Sequence, residues 1–395
     1  MDCPVFRKCG GCEYADLSYP QQLKRKEKRA ADLLSPLCKV RPIVGADDPC
    51  YYRNKVHWAY GYDGKRTFAG RYAENSHRII ENDACLLEDK ECEKIQMTIR
   101  DLARSFKIQT YDEKTKRGLL RRVLIRKGMA TGEVMVVLVL ASPVFPGKKA
   151  FIKKLIEKHP SIKTVLININ TRTDSMILGG KTINEFGRGS IWDEILGVRF
   201  KISPESFFQI NHRQTEKLYS LAIEAADLKP GEKILDAYCG IGTIGLCAAL
   251  SGKDISLTGV ELNRAAVSDA RENAKANAER KDTGETSAGA LRKAKFFAAD
   301  ATEYMTEAAS RGEKYDVVFL DPPRAGTTEE FIRACEVLSP ERIVYVSCDP
   351  ETLARDLKCF KKHGYTPEYT TPVDMFPFTS HIENCCLLTK GAFRM

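Results

Sequence analysis

Five times between Lys233 and Pro350 the chain runs through a short apolar stretch and stops on a polar or reactive side chain. The stretches are Lys233–Asp236, Ile255–Val260, Ala294–Phe297, Tyr315–Leu320 and Ile343–Ser347. They are followed by Asp236 with a glycine turn, Glu261, Asp300, Asp321 and Cys348. Runs this short and this rich in β-branched and aromatic residues predict buried strands. Asp349-Pro350 breaks the last one, and the segment from Thr352 predicts a helix. Open α/β sheets carry their chemistry at the carboxyl ends of their strands, where these side chains fall. A lone cysteine at a strand end is more often a structural core residue, so Cys348 needs support from whatever else reaches the same edge.

A chain of 395 residues is too long for one core and implies two or three domains. Its longest clean apolar run, Val134 to Ala141, is far too short to cross a membrane, and no apolar leader opens the sequence. A soluble cytoplasmic protein is expected. Fourteen cysteines in such a protein point to free, metal-bound or catalytic thiols rather than disulfides. Residues 1–213 carry a net charge of +14 and residues 214–395 one of −5. A basic first part suggests a polyanionic partner, although a solvated basic surface gives the same count.

Cys3, Cys9 and Cys12 follow a C-x5-C-x2-C spacing around Gly10-Gly11. Thiolates that share a metal or cluster must converge within a few ångströms, which short spacings with glycine turns permit. Cys38, Cys50, Cys85 and Cys92 are candidates for a fourth ligand, and structural zinc is the plainer alternative. Pro20 to Leu34 predicts a helix with a basic face. From Tyr51 to Ile80, aromatic and basic residues alternate (Tyr51, Arg53, Lys55, Trp58, Tyr60, Tyr62, Phe68, Arg71). That mixture suits phosphate contacts and base stacking, and equally a small antiparallel sheet. A helix over Asp89–Lys107, two strands within Leu119–Ala141, a helix over Phe151–His159 and a strand over Thr164–Asn170 make residues 40–210 roughly one α+β unit. Asn211 can cap the next helix, with Gln214 in capping-box position.

In the second half, the Gly240-Ile241-Gly242 turn resembles a dinucleotide loop, but no basic residue in it meets phosphates. Asp236 lies before the turn, where it could take the amino group of an amino-acid-like ligand. Glu261 is placed for ribose hydroxyls and Asp300 for an adenine amino group. Acidic residues after three successive strands suit S-adenosylmethionine, a cation with ribose and adenine. Asn277 to Lys293 reads as a long, polar, mobile loop. Asp321-Pro322-Pro323-Arg324 ends the fourth strand, where a carboxylate can hold a base edge or merely cap a helix. His381-Ile382-Glu383-Asn384 precedes a final edge or hairpin strand, Cys385–Thr389.

Taken in order, Cys3/Cys9/Cys12, Phe207-Phe208-Gln209-Ile210-Asn211, Asp236 to Gly242, Asp321-Pro322-Pro323-Arg324, Val346-Ser347-Cys348-Asp349-Pro350 and His381-Ile382-Glu383 resemble the RNA uracil-C5 methyltransferase family, which forms 5-methyluridine. The match spans nearly the whole chain. The Ser-Cys-Asp-Pro block with the late His-x-Glu is its specific part. The resemblance implies a Rossmann-like class I S-adenosylmethionine methyltransferase domain beside an α+β central RNA-binding domain. It implies Cys348 as nucleophile, Glu383 as base, and Asp321 between cofactor and uracil. Gln209, Tyr238, Thr243, Glu261 and Asp300 would line the cofactor site. Cys3, Cys9, Cys12 and Cys85 would hold a [4Fe-4S] cluster, as in the ribosomal-RNA branch, with Asn82-Asp83-Ala84-Cys85 giving the fourth ligand.

The implied organisation is an iron-sulfur segment over 1–92 that also starts the central domain, the central domain over 93–212, and the catalytic domain over 213–395. Many relatives carry a small TRAM-type, oligonucleotide-binding barrel before the cysteines. With Cys3 so near the start, that barrel is expected to be absent and RNA grip to fall to the cluster region and the central domain. The implied substrate is a flipped loop uridine of 23S ribosomal RNA, with transfer RNA as the alternative, and a monomer is expected. An amino-methylating enzyme would need neither Cys348 nor Glu383. A degenerate, non-catalytic RNA-binding protein would not keep both.

Overall fold

The computed structural model describes residues 3–391 except 75 and 175. An eight-stranded sheet forms the catalytic half, in the order Lys39–Val40, Tyr365–Val373, Glu383–Lys390, Arg342–Ser347, Val317–Leu320, Lys233–Ala237, Ser256–Glu261, Lys295–Ala298. All neighbours run parallel except Glu383–Lys390, which is antiparallel to both of its partners. Successive side chains of the central strands alternate between two apolar layers, as the period of a strand requires. Ile234, Val317, Val344 and Val346 meet one layer; Leu235, Val318, Ile343 and Tyr345 meet the other. The helices His212–Ala226, Thr243–Leu250 and Arg264–Ala278 supply the first layer. Ala301–Ser310, Glu329–Leu338 and Pro350–Lys362 supply the second. Burial on both faces explains why Arg342–Ser347 is covered along its whole length.

The central half is a seven-stranded sheet in the order 79–80, 67–72, 55–62, 120–127, 134–140, 162–169, 181–187. It is antiparallel apart from Val134–Leu140 beside Ile162–Ile169, which the helix Lys148–Lys158 connects. The helix Lys90–Ser105 packs on this sheet through Cys92, Ile95 and Ile99.

Several elements differ from expectation. Ala30 and Leu34 of the N-terminal helix Tyr19–Leu34 are buried in the catalytic core, and Lys39–Val40 adds an edge strand there. The hairpin Ile191–Ile195 with Val198–Ile202 packs between the two sheets, sharing one apolar cluster with Leu124, Met135 and Val137 of the central sheet and with Ile234 and Leu246 of the other half. Asn277 and Asn273 secure it, each accepting from a backbone N–H of the second strand. The polar stretch read as a mobile loop holds a helix, Glu285–Lys293, whose Ala288, Ala290 and Leu291 are buried; its apolar positions were hidden among charges. Glu383–Lys390 is an interior strand, not an edge. The last helix starts at Pro350, because proline fits the first helical position and Asp349 accepts from Thr352 N–H at 2.9 Å. Asn211 does cap its helix, but Gln214 does not close a capping box: its amide donates to the carbonyls of Val44 and Asp374.

Candidate active site

The antiparallel insertion of Glu383–Lys390 beside Arg342–Ser347 creates the site. Ser347 pairs with Asn384, so one step further along the ladder Cys348 and Glu383 stand opposite each other at the same sheet edge. On the other side Leu320 pairs with Tyr345, which brings Asp321 to that edge. Three side chains distant in sequence therefore meet through strand register alone. Glu383 is buried, while Cys348 and Asp321 are half-buried and open to the cleft.

The charges couple. Burial pushes the Cys348 thiol up to about 11, with Glu383 and Asp321 adding to the rise and Arg324 opposing it. Burial raises Asp321 to about 7. Glu383 is held well above the usual carboxylate range, first by burial, then by Asp321, against Arg324. This edge thus favours an uncharged thiol and uncharged carboxyls. Arg324 is the cation that opposes this, and its guanidinium lies 3.4 Å from the His381 ring. Burial and Arg324 together lower the His381 pKa, which favours the neutral imidazole. The sequence motifs contained Arg324 and His381, but gave neither a role.

The glycine turn follows Lys233–Ala237. Tyr238, Gly240 and Gly242 all take positive φ (64°, 55° and 84°). A Cβ added to Gly240 would meet nothing within 4 Å, so the turn faces open space. Gly245 is the reverse case, since its Cβ would come within 2.8 Å of Asp236. Asp236, expected to take a ligand amino group, is buried, and one of its carboxyl oxygens accepts from Gly245 N–H at 2.8 Å, bracing the turn from behind. Glu261 stands at its strand end and accepts from Gly240 and Asn263 N–H, at 3.1 and 2.7 Å. Asp300 caps the helix that begins at Ala301. Thr243 opens its helix and accepts from the hydroxyl of the buried Tyr219 at 3.1 Å. The Tyr238 hydroxyl lies 3.2 Å from that of Thr327, and Gln209 is buried with its carbonyl bonded to Asn54. Glu261, Asp300, Tyr238 and Thr243 thus fringe one end of the parallel sheet around an open glycine turn, a cradle that fits an adenosyl amino acid.

The strap that leads into Glu383 is held by the N-terminal segment. Lys26, fully buried, donates to Asp374 at 2.5 Å and to the Phe376 carbonyl at 3.0 Å. Gln22 accepts from Phe378 N–H, Glu13 accepts from Ser380 N–H, and Arg29 donates to the Ser380 carbonyl. Lys26 and Asp374 are 348 positions apart, and nothing in either segment announced the pair.

The cysteine segment lies against the central sheet. Cys85 is buried, and Arg71 donates to its sulfur at 2.9 Å. Glu88 accepts from both Arg71 (2.7 Å) and the Trp58 indole (2.9 Å). The Asn82 amide lies 3.8 Å from Cys3 sulfur. Cys12 feels the charges of Cys85 and Cys9. Cys38, by contrast, neighbours Cys386 in the catalytic core, and Cys92 is buried in the central core. Among the described residues, no group of three or more His, Cys, Asp or Glu side chains gathers closely enough to hold a metal ion, so the expected cluster ligands are not drawn together as a set.

The fold is the α/β architecture of the S-adenosylmethionine-dependent methyltransferases, with Cys348 at the same sheet edge as Asp321 and Glu383. Residues 18–391 match the profile of the tRNA (uracil-5-)-methyltransferase family, and the chain belongs to that family. It is 40% identical over 391 residues to an uncharacterized RNA methyltransferase of Halalkalibacterium halodurans, covering 98% of this chain and 82% of the relative. A second such protein, from Caldanaerobacter subterraneus subsp. tengcongensis, is 39% identical, covering 98% and 84%. Among solved structures, the Pyrococcus abyssi tRNA (uracil-54, C5)-methyltransferase in complex with S-adenosyl-L-homocysteine superposes with a TM-score of 0.77 at 28% identity, over 96% of this chain and 86% of that one. No helix among the described residues is long and apolar enough to cross a membrane.

Proposed function

We propose that the protein methylates C5 of a uridine in RNA through a covalent bond between Cys348 and C6 of the base. The observation that carries this is the meeting of Cys348, Glu383 and Asp321 at one sheet edge. Uracil C5 is a weak nucleophile. Addition of the Cys348 thiolate to C6 makes the ring an enolate, with its negative charge delocalised onto O4 and C5. Arg324 is the group on hand that favours the thiolate. Asp321, uncharged over part of the neutral range, can donate to the uracil O4 edge. S-adenosylmethionine, cradled by Gln209, Tyr238, Thr243, Glu261 and Asp300, supplies an electrophilic methyl group. Glu383, once its own proton has passed to solvent, then removes the C5 proton, and the Cys348–C6 bond breaks to restore the ring. A carboxylate with a raised pKa is the stronger base for a carbon-bound proton.

Cys3, Cys9, Cys12 and Cys85 are proposed as ligands of a [4Fe-4S] cluster. Free thiols, the mutual influence of Cys9, Cys12 and Cys85, and the Arg71 cation beside Cys85 support it. Four thiolates on four irons are spread more widely than ligands of one ion. The cysteine quartet favours 23S ribosomal RNA as substrate, while the likeness to a transfer-RNA enzyme favours transfer RNA. Nucleoside mass spectrometry on both RNAs, from cells with and without the gene, tests the reading. Loss of 5-methyluridine from large-subunit ribosomal RNA supports the first target, and loss from transfer RNA the second. No loss from either, in cells with no second such enzyme, overturns the proposal.

A further inference from the structure

A second concave surface lies well away from the methyl-transfer edge. Its volume is about 940 Å³, and it opens where the strand Lys55–Tyr62 ends, between the hairpin to Thr67–Tyr72 and the segment 107–118. Tyr62 projects into solvent with 61% of its surface exposed, and Phe68 and Tyr72 are half-buried along the wall. Exposed aromatic rings in a concave wall are unusual unless something stacks on them.

The charges in this groove are not balanced. Its acids are already engaged: Glu113 pairs with Arg121 at 2.8 Å, and Asp112 accepts from the N–H groups of Lys114 and Thr115. Lys65, Lys107, Lys114 and Arg117 have no ion-pair partner among the described residues. The Tyr72 ring already lies under Arg122 and against His77, but Tyr62 is exposed, and spare cations beside an exposed ring are complementary to a strand with a phosphate backbone and unpaired bases. An apolar peptide would leave the cations unmet, and a free anion would not use the rings.

The strand that borders the groove reaches the 209–210 segment at its other end. At the other end of the Lys55–Tyr62 strand, Asn54 donates through its side chain to the Gln209 carbonyl at 3.1 Å and through its backbone to the Ile210 carbonyl at 3.0 Å. Eight strand residues span about 23 Å. We propose that the groove bordered by Tyr62, Phe68, Tyr72, Lys65, Lys107 and Arg117 is a second RNA-anchoring site, holding an unpaired stretch of the same RNA whose target uridine enters the Cys348 cleft. The proposal rests on RNA being the substrate. It adds a site that grips the strand without touching the reacting base.

The test uses the full chain and a fluorescein-labelled oligouridylate, read by anisotropy across a salt series. Methyl transfer to bulk RNA is measured in parallel on the same preparations. Tyr62→Ala is expected to weaken binding about tenfold, as loss of one stacking platform does. The double variant K65E/K107E is expected to lower the log–log salt slope by about 1.4, as two lost phosphate contacts on a single strand do. Both changes are at exposed side chains, and melting temperatures matching wild type establish that the fold is intact. On bulk RNA, KM should rise while kcat stays the same. Unchanged affinity and salt slope in both variants overturn the groove, as does a wild-type protein that does not bind the oligonucleotide. A wild type that binds but never methylates sinks the proposed function instead. In that case weaker binding by the variants still supports the groove.

Discussion

Substituting Lys26 tests how the catalytic base is kept in place. The Lys26–Asp374 pair has no exposed side-chain surface on either partner, and the Tyr19 hydroxyl also faces Asp374. Lys26→Met preserves most of the side chain's volume but leaves a buried carboxylate unpaired. Breaking a buried pair from one side costs about 3–5 kcal/mol, far more than the pair's net contribution. Lys26 also holds the Phe376 carbonyl, so a hydrogen bond is lost as well, about 1 kcal/mol. Part of that cost can be relieved locally by loosening the strap 374–382, which carries the chain into Glu383. The expected result is a clear fall in urea midpoint and a fall in methyl transfer larger than the unfolded fraction explains. The variant should also retain RNA covalently, since the base acts after adduct formation. Lys26→Met with Asp374→Leu removes both charges and should recover most of the stability. A single variant as stable as wild type would refute the reasoning, and so would a double variant no better than the single.

Cys348→Ala should abolish turnover and leave S-adenosylmethionine binding by calorimetry within about twofold; an active variant removes Cys348 as nucleophile. Glu383→Gln should accumulate a denaturation-resistant protein–RNA complex on gels, because the C5 proton has no acceptor; absence of that band counts against the base. In the free protein the thiolate is the minor form, so iodoacetamide labelling at the Cys348 peptide should rise with pH toward its pKa of about 11. Arg324→Ala removes the cation that favours the thiolate. Labelling at a given pH should then be slower, and equal rates by peptide mass spectrometry would show that Arg324 does not reach the thiol.

Much of this site was legible in the chain because its parts are local. Cys348 ends a run of buried residues and Asp321 ends another, and Asp349-Pro350 marks the break between strand and helix, although the helix begins at Pro350 and not at Thr352. Glu383 was legible only by resemblance. From its own neighbours it looked like a surface residue at an edge strand, and it is buried in an interior one. Asp236 shows the converse limit. Its place before the glycines was plain, but whether it faced the ligand or braced the turn depended on which way the helix returned. The helix Glu285–Lys293 was missed because its buried face consists of alanines and one leucine among charges, a weak periodic signal.

Local patterning marked the five parallel strands between Lys233 and Ser347, the order of their polar endings and the residue types available for chemistry, since apolar period and turn residues act over a few positions. Tertiary structure decided which of those endings meet. The antiparallel strand Glu383–Lys390 slots beside Arg342–Ser347, and only its register sets Glu383 opposite Cys348. Tertiary structure also decided that the N-terminal helix braces the strap before the base, through Lys26 and Asp374. It gathered Tyr62, Lys65, Lys107 and Arg117 into one groove. Pairings across tens or hundreds of residues depend on how whole layers pack, and no local pattern of side chains encodes them.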